Sequence, residues 1–284
     1  MASTDALVET ALAAADLAGA DALVAEAGWN QNAADWRIFL ELGRAFAVKT
    51  GDGRLAATAA TLPYPSGFGW ISMVLVAGAF RRRGIATRLL ERCIRSLQDA
   101  RMVPVLDATP AGREVYRPLG FRDGWTIQRW RRTGAPPAAA PAGARALAAG
   151  DWPALLALDA QAFGCDRAPL LERLRARSAG VACVVEEAGR LRGFLLGREG
   201  RIATQLGPIV ADDEAAAIAL AAHASRRLAA PVIVDALDRH TAFARWLAAN
   251  GFEKERPYTR MALGRDALFG DPGRTVAIAG PELG

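Results

Sequence analysis

Cysteine is scarce and scattered. The chain holds three, Cys93, Cys165 and Cys183. An odd number without CxxC spacing argues against a disulfide framework and a thiolate metal site, and sets a reducing cytoplasm as the expected compartment. Histidine is scarcer still, with two residues. His223 falls in an alanine-rich helix and His240 in a loop, neither with a partner at ligand spacing, so zinc catalysis is not expected and no metal is assigned. Serine, histidine and aspartate do not occur in a nucleophile-elbow pattern. No basic residue precedes Arg37, so the positive leader of a signal peptide is not expected. Charge is also missing from Leu55 to Phe80, a run long enough to span a membrane. PYPSGFG, Pro63 to Gly69, sits inside it, and its prolines and glycines would break a spanning helix. The run reads as two buried strands joined by a tight turn, in a soluble protein with no membrane partner.

What is present points to two domains. The 284 residues are 52% hydrophobic, enough for a sizeable core. The net charge of +5 is mild and suits acidic small molecules as well as nucleic acid. Interleaved aromatics and a long basic stripe are both missing, so a nucleic-acid partner is not expected. GAPPAAAPAGA, Gly134 to Ala144, is a Pro/Ala/Gly linker without charge. Before it, the patterns predict helices near Ala14–Ala27 and Ala33–Leu42 and strands at Ala45–Lys49, Leu55–Leu62 and Trp70–Val76. A helix at Ile85–Gln98 follows, then a strand at Val103–Asp107 and a helix opened by Thr109-Pro110. After it, helices at Trp152–Phe163 and Pro169–Arg177 precede strands at Val181–Glu186, Leu191–Leu196 and near Ile202–Leu206. A helix at Glu214–Leu228, a strand at Val232–Ala236 and a helix from Thr241 complete the second outline. One half closes on PLGF and the other on NGF, so an internal duplication is expected.

The stretch FRRRGIATRLLERCI, Phe80 to Ile94, crowds arginines before a helix and leaves out the side chain between them. Two readings stand: a solvated cluster with a loop glycine, or an anion site. For the second, the first helical N–H groups lack internal partners and the macrodipole adds roughly +0.5 charge at that end. Gly84 removes a Cβ that would hold a phosphate away, and Ala86 keeps the next turn thin. Arg81, Arg82 and Arg83 add attraction and possible phosphate hydrogen bonds.

The pairing of R-x-x-G-x-A, Arg81 to Ala86, with the later VYRPLGF, Val115 to Phe121, resembles the GNAT superfamily of acetyl-CoA-dependent N-acetyltransferases. The duplication with a weaker second copy is similar to tandem-GNAT proteins. The resemblance implies an α/β fold with a mixed (α+β) sheet in two tandem domains. Residues 1–133 would form the catalytic domain, 134–144 the linker, and 145–284 a degenerate copy with a C-terminal tail. It implies acetyl-CoA as cosubstrate and a small-molecule amine as acceptor, which attacks the acetyl carbonyl directly in a ternary complex. Backbone groups of Val74, Leu75 and Val76 would pair with the pantetheine arm. The loop Arg81, Arg82, Arg83, Gly84, Ile85, Ala86 and Thr87 would cradle the diphosphate, with main-chain N–H groups from Arg82 onward. Tyr116, four residues before Gly120, stands where the family carries a tyrosine near the CoA sulfur. Thr109 stands where many members have asparagine.

Acetyl transfer needs a neutral amine, a stabilised carbonyl oxygen and a protonated leaving thiolate. A strand N–H near Val74–Val76 would serve the oxygen. Tyr116 is either the proton donor or a packed helix aromatic. Asp107, ending a strand, is the first candidate for a base or else an ordinary turn residue, and a water relay is the alternative. Asp35 and Glu41 lie on the second helix, and GWNQ supplies Trp29 and Asn30. Trp29, Asn30 and Asp35 are the candidate acceptor contacts, with Trp29 alternatively tucked into the core. A non-catalytic acyl-CoA sensor is the competing reading of the same motifs. The second copy has PIVADDEAAA where the first has its arginine loop, and Leu247 at the tyrosine position. Its carboxylates would repel a diphosphate, so this copy is expected to bind no CoA and to wall or support the first. Acceptor identity and oligomeric state are left open.

Overall fold

A computed structural model describes residues 6–137, 143–178, 180–229 and 231–284; residues 138–142 of the expected linker lie outside the described residues. The chain divides into two compact units. One runs up to Val105 and takes in Gly200–Ile202; the other comprises Leu106–Glu199 and Ala203–Gly284.

The first unit is built from strand β1 (Leu7–Ala11), helices α1 (Leu17–Glu26) and α2 (Ala33–Leu42), strands β2 (Arg44–Thr50), β3 (Leu55–Tyr64) and β4 (Phe68–Val76), helix α3 (Ile85–Asp99) and the start of β5 (Val103–Ala108). β1, β2, β3 and β4 pair antiparallel in that order, and β5 joins β4 in parallel. β3 is buried along nearly its whole length. It contacts α3 as well as α1 and α2, and a strand covered on both faces has no reason to alternate. Its alanines let the helices come close. The amphipathic α3 buries Ile85, Leu89, Leu90, Cys93 and Leu97, the face expected from spacing apart from half-buried Ile94. Asn32 opens α2 with a capping box, its side chain accepting from Ala34 N and Asp35 N.

The second unit continues with α4 (Pro110–Tyr116), β6 (Phe121–Arg132), β7 (Ala144–Ala146), α5 (Trp152–Phe163), α6 (Ala168–Arg177), β8 (Cys183–Glu187) and β9 (Arg190–Arg198). It ends with β10 (Thr204–Ala211), α7 (Glu214–Ser225), β11 (Val232–Leu237), α8 (Thr241–Ala249), β12 (Phe252–Leu263) and β13 (Thr275–Ala277). Its strand order is β12-β6-β11-β13-β10-β9-β8-β7, with β10 also paired to β11 in parallel. α7 is apolar all round and buried on nearly every side, the behaviour expected of a helix inside a core.

The long β6 and β12 were not anticipated as strands, nor were β1, β7 and β13. β6 explains why the compact units divide inside β5 rather than at the linker. It pairs along its length with β11 and β12, Ile127 facing both Leu237 and Tyr258. A strand from before the linker is therefore completed by strands from after it. Among the described residues no helix is long and apolar enough to cross a membrane.

Candidate active site

The loop of the first unit begins with an irregularity in β4. Thr58 faces Leu75 and Ala60 faces Ser72, so Met73 and Val74 together oppose the single residue Ala59. This is a β-bulge, with Met73 at a φ of 55°. The Thr58 hydroxyl donates to Met73 O at 3.0 Å and fixes the bulged carbonyl. Pairing with β5 covers only Phe68–Trp70, so β4 runs on from Ile71 to Val76 beyond its β5 partner. A short turn at Gly78–Phe80 then leads to Gly84, which caps α3 at a φ of 70°. That left-handed backbone is why the position is glycine. Space is not the reason, since an added Cβ would meet only Arg88 Nη1 at 4.0 Å.

These elements border one cavity of about 520 Å³, in the size range of ligand pockets. Val74, Leu75, Val76, Phe80, Arg81, Arg82, Gly84, Ile85, Ala86 and Thr87 line it, as do Ala27 and Trp29. Every expected cofactor residue of the loop except Arg83 is therefore on its wall. Arg83 instead stands over the Phe80 ring at 5.5 Å. The N–H groups of α3's first turn have no partner inside the helix and give this wall a positive end.

The arginines divide their work. Arg81 Nε donates to Val76 O at 3.0 Å, and its Nη2 lies 3.5 Å from Glu26 Oε1. The same carboxylate oxygen accepts Gly78 N at 2.6 Å. Arg81 thus holds the loop's shape. Arg88 and Arg92 reach Glu9 at 3.4 and 3.5 Å. Among the described residues Arg82 and Arg83 have no carboxylate partner.

Of the three expected acceptor contacts, one lines the cavity and two are enclosed elsewhere. Trp29 lines the cavity together with residues of the cofactor loop. Asp35 is fully buried, and its Oδ2 accepts Asn32 N at 2.9 Å to complete the α2 cap. Asn30 is 4% exposed; its Oδ1 accepts Ile202 N at 3.1 Å and its carbonyl accepts Arg201 N at 2.7 Å. Gly200 packs so closely there that a Cβ would fall 2.3 Å from Asn30 Nδ2. The geometry assigns Asp35 and Asn30 to holding backbone, because each is enclosed by the groups it pairs with.

Within the second unit, Thr109 caps α4 by accepting Gly112 N at 3.2 Å. Tyr116 ends that helix, its ring 6.0 Å from Phe121. Burial pushes the Tyr116 phenol above its ordinary 10.0, so it stays protonated at neutral pH. Arg113 grips Asp123 through two hydrogen bonds of 2.9 and 2.7 Å, and Arg117 joins them. The hydrogen bonds from both arginines hold Asp123 far below the usual carboxylate range. This clamp ties α4, and with it Tyr116, to β6. Sequence reasoning missed it, although two arginines at helical i, i+4 spacing before an aspartate were its signal.

Asp107 departs from its expected role. Arg260 on β12 binds both of its oxygens at 2.9 Å, and the Asp107 side chain is fully buried. The Arg260 guanidinium in turn lies 5.2 Å from the Trp125 ring. A carboxylate with both oxygens on one guanidinium serves as a structural link between β5 and β12.

The corresponding loop of the second unit is occupied by the chain itself. Asp213 caps α7, accepting Ala216 N at 2.8 Å. Asp212 pairs with Arg190, Arg192 and Arg274, and Glu214 accepts Phe243 N at 2.6 Å. Beyond the last β10–β11 pairs, β13 is inserted: Ile209 and Val210 face Ala277 and Thr275, and Ala236 faces Ala277. Leu247 is buried in the core.

Two family models match the chain, the acetyltransferase (GNAT) family over residues 11–121 and an acetyltransferase (GNAT) domain over residues 155–275. An uncharacterized N-acetyltransferase of Bacillus subtilis, YitH, is 24% identical over 238 residues, 82% of this chain and 83% of that protein. Among solved structures, a putative acetyltransferase from Pyrococcus horikoshii superposes with a TM-score of 0.81 at 19% identity, covering 99% of this chain and 96% of that one. A tandem GNAT protein from the clavulanic acid biosynthesis pathway gives 0.62 at 16% identity, covering 93% and 100%.

Proposed function

This chain belongs to the GNAT acetyltransferases and carries two domains of that family, and on that premise we propose that its first unit binds acetyl-CoA for transfer of the acetyl group to the amine of a small molecule. The observation that carries the reading is the α3 N-terminus. It is capped by left-handed Gly84 and opens on a cavity whose other wall is the bulged end of β4. The residues present fit the cosubstrate: main-chain N–H groups and Arg82 suit a diphosphate, and the Val74–Val76 backbone suits an extended amide-bearing arm.

Acetyl-CoA supplies the activated carbonyl and a thiolate that leaves. The chain's own groups do the rest. A main-chain N–H at the bulge, near Val74, faces the carbonyl oxygen as charge builds on it. The amine nitrogen attacks the carbonyl carbon directly, the C–S bond breaks, and the Tyr116 hydroxyl gives its proton to the departing sulfur. The proton lost from the nitrogen leaves through water, since Asp107 is held by Arg260. The second domain binds no CoA and serves as support. CoA release measured over a panel of small amines tests the whole reading. Tight acetyl-CoA binding without turnover on any of them would favour a sensor.

A further inference from the structure

Phe80 is the one aromatic on the loop side of the cavity, and two guanidiniums stand over it. Arg83 lies 5.5 Å from its ring centroid and Arg54, from the β2–β3 turn, lies 5.6 Å away. The ring's quadrupole holds each in place at an exposed site, yet gathering two cations there costs repulsion. Nearby carboxylates relieve it only in part, Asp52 through the charge of Arg54. Glu26 is taken by Arg81, and Glu9 by Arg88 and Arg92. Asp52 accepts the Thr50 hydroxyl and the Arg54 main-chain N–H, and no ion pair joins it to the Arg54 guanidinium. Arg54 comes from a different turn than the rest, so its presence here is not an accident of the RRRG run. It arrives because Ala77 N bonds to Ala56 O, which lays the start of β3 beside the loop.

We propose that Arg54 and Arg83, held over Phe80, form a second anion subsite for the 3′-phosphate of CoA, apart from the diphosphate cradle at Gly84. This rests on the acetyl-CoA reading and extends it to a specificity that the cradle alone would not give. A cradle of main-chain N–H groups serves any pyrophosphate. A phosphomonoester carries up to two charges, and two guanidiniums around one ring supply cations for it.

Calorimetry with acetyl-CoA and acetyl-3′-dephospho-CoA, each against the intact protein, tests it. Wild type is expected to bind the 3′-phosphorylated form about tenfold more tightly, at the lower end for hydrogen bonds to charged groups because the site is exposed. Arg54→Ala is expected to weaken acetyl-CoA binding by about the same factor while leaving the dephospho form unchanged. Phe80→Leu, which removes the platform and keeps the arginines, should shrink the preference without abolishing it. Equal wild-type affinities for the two forms would overturn the proposal and leave the cradle standing, as would an Arg54→Ala loss shared equally by both. No binding of either form by wild type would overturn the acetyl-CoA reading itself.

Discussion

At β4 the chain leaves Ile71–Val76 beyond its last pair with β5, and among the described residues no third strand takes that edge. At β10 the equivalent length is taken by β13. The helix that follows each strand differs in the same sense. α3 begins at a left-handed glycine after arginines, whereas α7 begins at an aspartate cap with its neighbours ion-paired. Both halves therefore hold the geometry that suits an extended, anionic ligand, and in one of them the chain has supplied its own substitute. β13 provides the extended strand and Asp212 to Glu214 provide the negative charge. The tail is then locked by Arg198 on Glu282 and by Ile278 N on Asp235 O at 3.0 Å. In the second copy the same backbone edge and the same helix dipole are satisfied from within the chain.

The sharpest way to break this comparison is Gly84→Glu. The new side chain puts bulk and negative charge where the diphosphate should lie, and acetyl-CoA binding by calorimetry should fall from one per chain to none. A remaining site in the folded variant would mean that the second half binds as well. Next comes Tyr116→Phe, which keeps the ring against Phe121 and removes the proton. We expect kcat to fall by about 10²–10⁴, toward the lower end because a thiolate leaves well, with acetyl-CoA affinity nearly unchanged. Full kcat would make Tyr116 a packing residue, like its counterpart Leu247.

Stability separates the halves in turn. A Cβ at Gly207 would fall 2.0 Å from Ile278 O in the locked tail, so Gly207→Ala should cost at least about 3 kcal/mol in denaturant unfolding. Gly84→Ala should cost only about 1–2 kcal/mol, from its backbone alone. Equal costs would show that β13 is not held as tightly as its contacts indicate. The smallest effect is alkaline. Burial, the main cause, pushes the Tyr258 phenol from 10.0 up to about 12. As pH rises past about 10 the unfolded chain gives up this proton first and binds fewer than the folded one, so stability is lost between about pH 10 and 12. Tyr258→Phe should flatten that part of the pH profile.

Much of the catalytic half was legible because its signals are local. The apolar face of α3, the glycine before it and the Thr109-Pro110 start of α4 each act within a turn or two of the chain. Asp213 and Leu247 announced the altered second copy in the same way. The strands β6, β12 and β13 were not legible. The residues of β6 and β12 alternate with charges such as Arg129, Arg131, Lys254 and Arg256, whose pairing depends on partners far along the chain, and β13 is only three residues long. The surroundings of the polar candidates were hidden for a related reason: the acceptor candidates Asp35 and Asn30 and the base candidate Asp107 look like available polar groups until Asn32, Ile202 and Arg260 are seen to hold them.

The sequence by itself determined the glycine-capped, cation-flanked start of α3, because a φ above zero, unpaired N–H groups and adjacent cations need only consecutive residues. It determined the doubled outline for the same reason. Tertiary structure alone decided that among the described residues the β4 edge beyond β5 has no strand partner while that of β10 is filled, that Asp107 is paired with Arg260, and that Arg54 joins Phe80. Each of these depends on which distant segment reaches a given backbone edge or buried charge first. That is settled by packing and hydrogen-bond satisfaction over the whole unit and leaves no mark in the local order of residues.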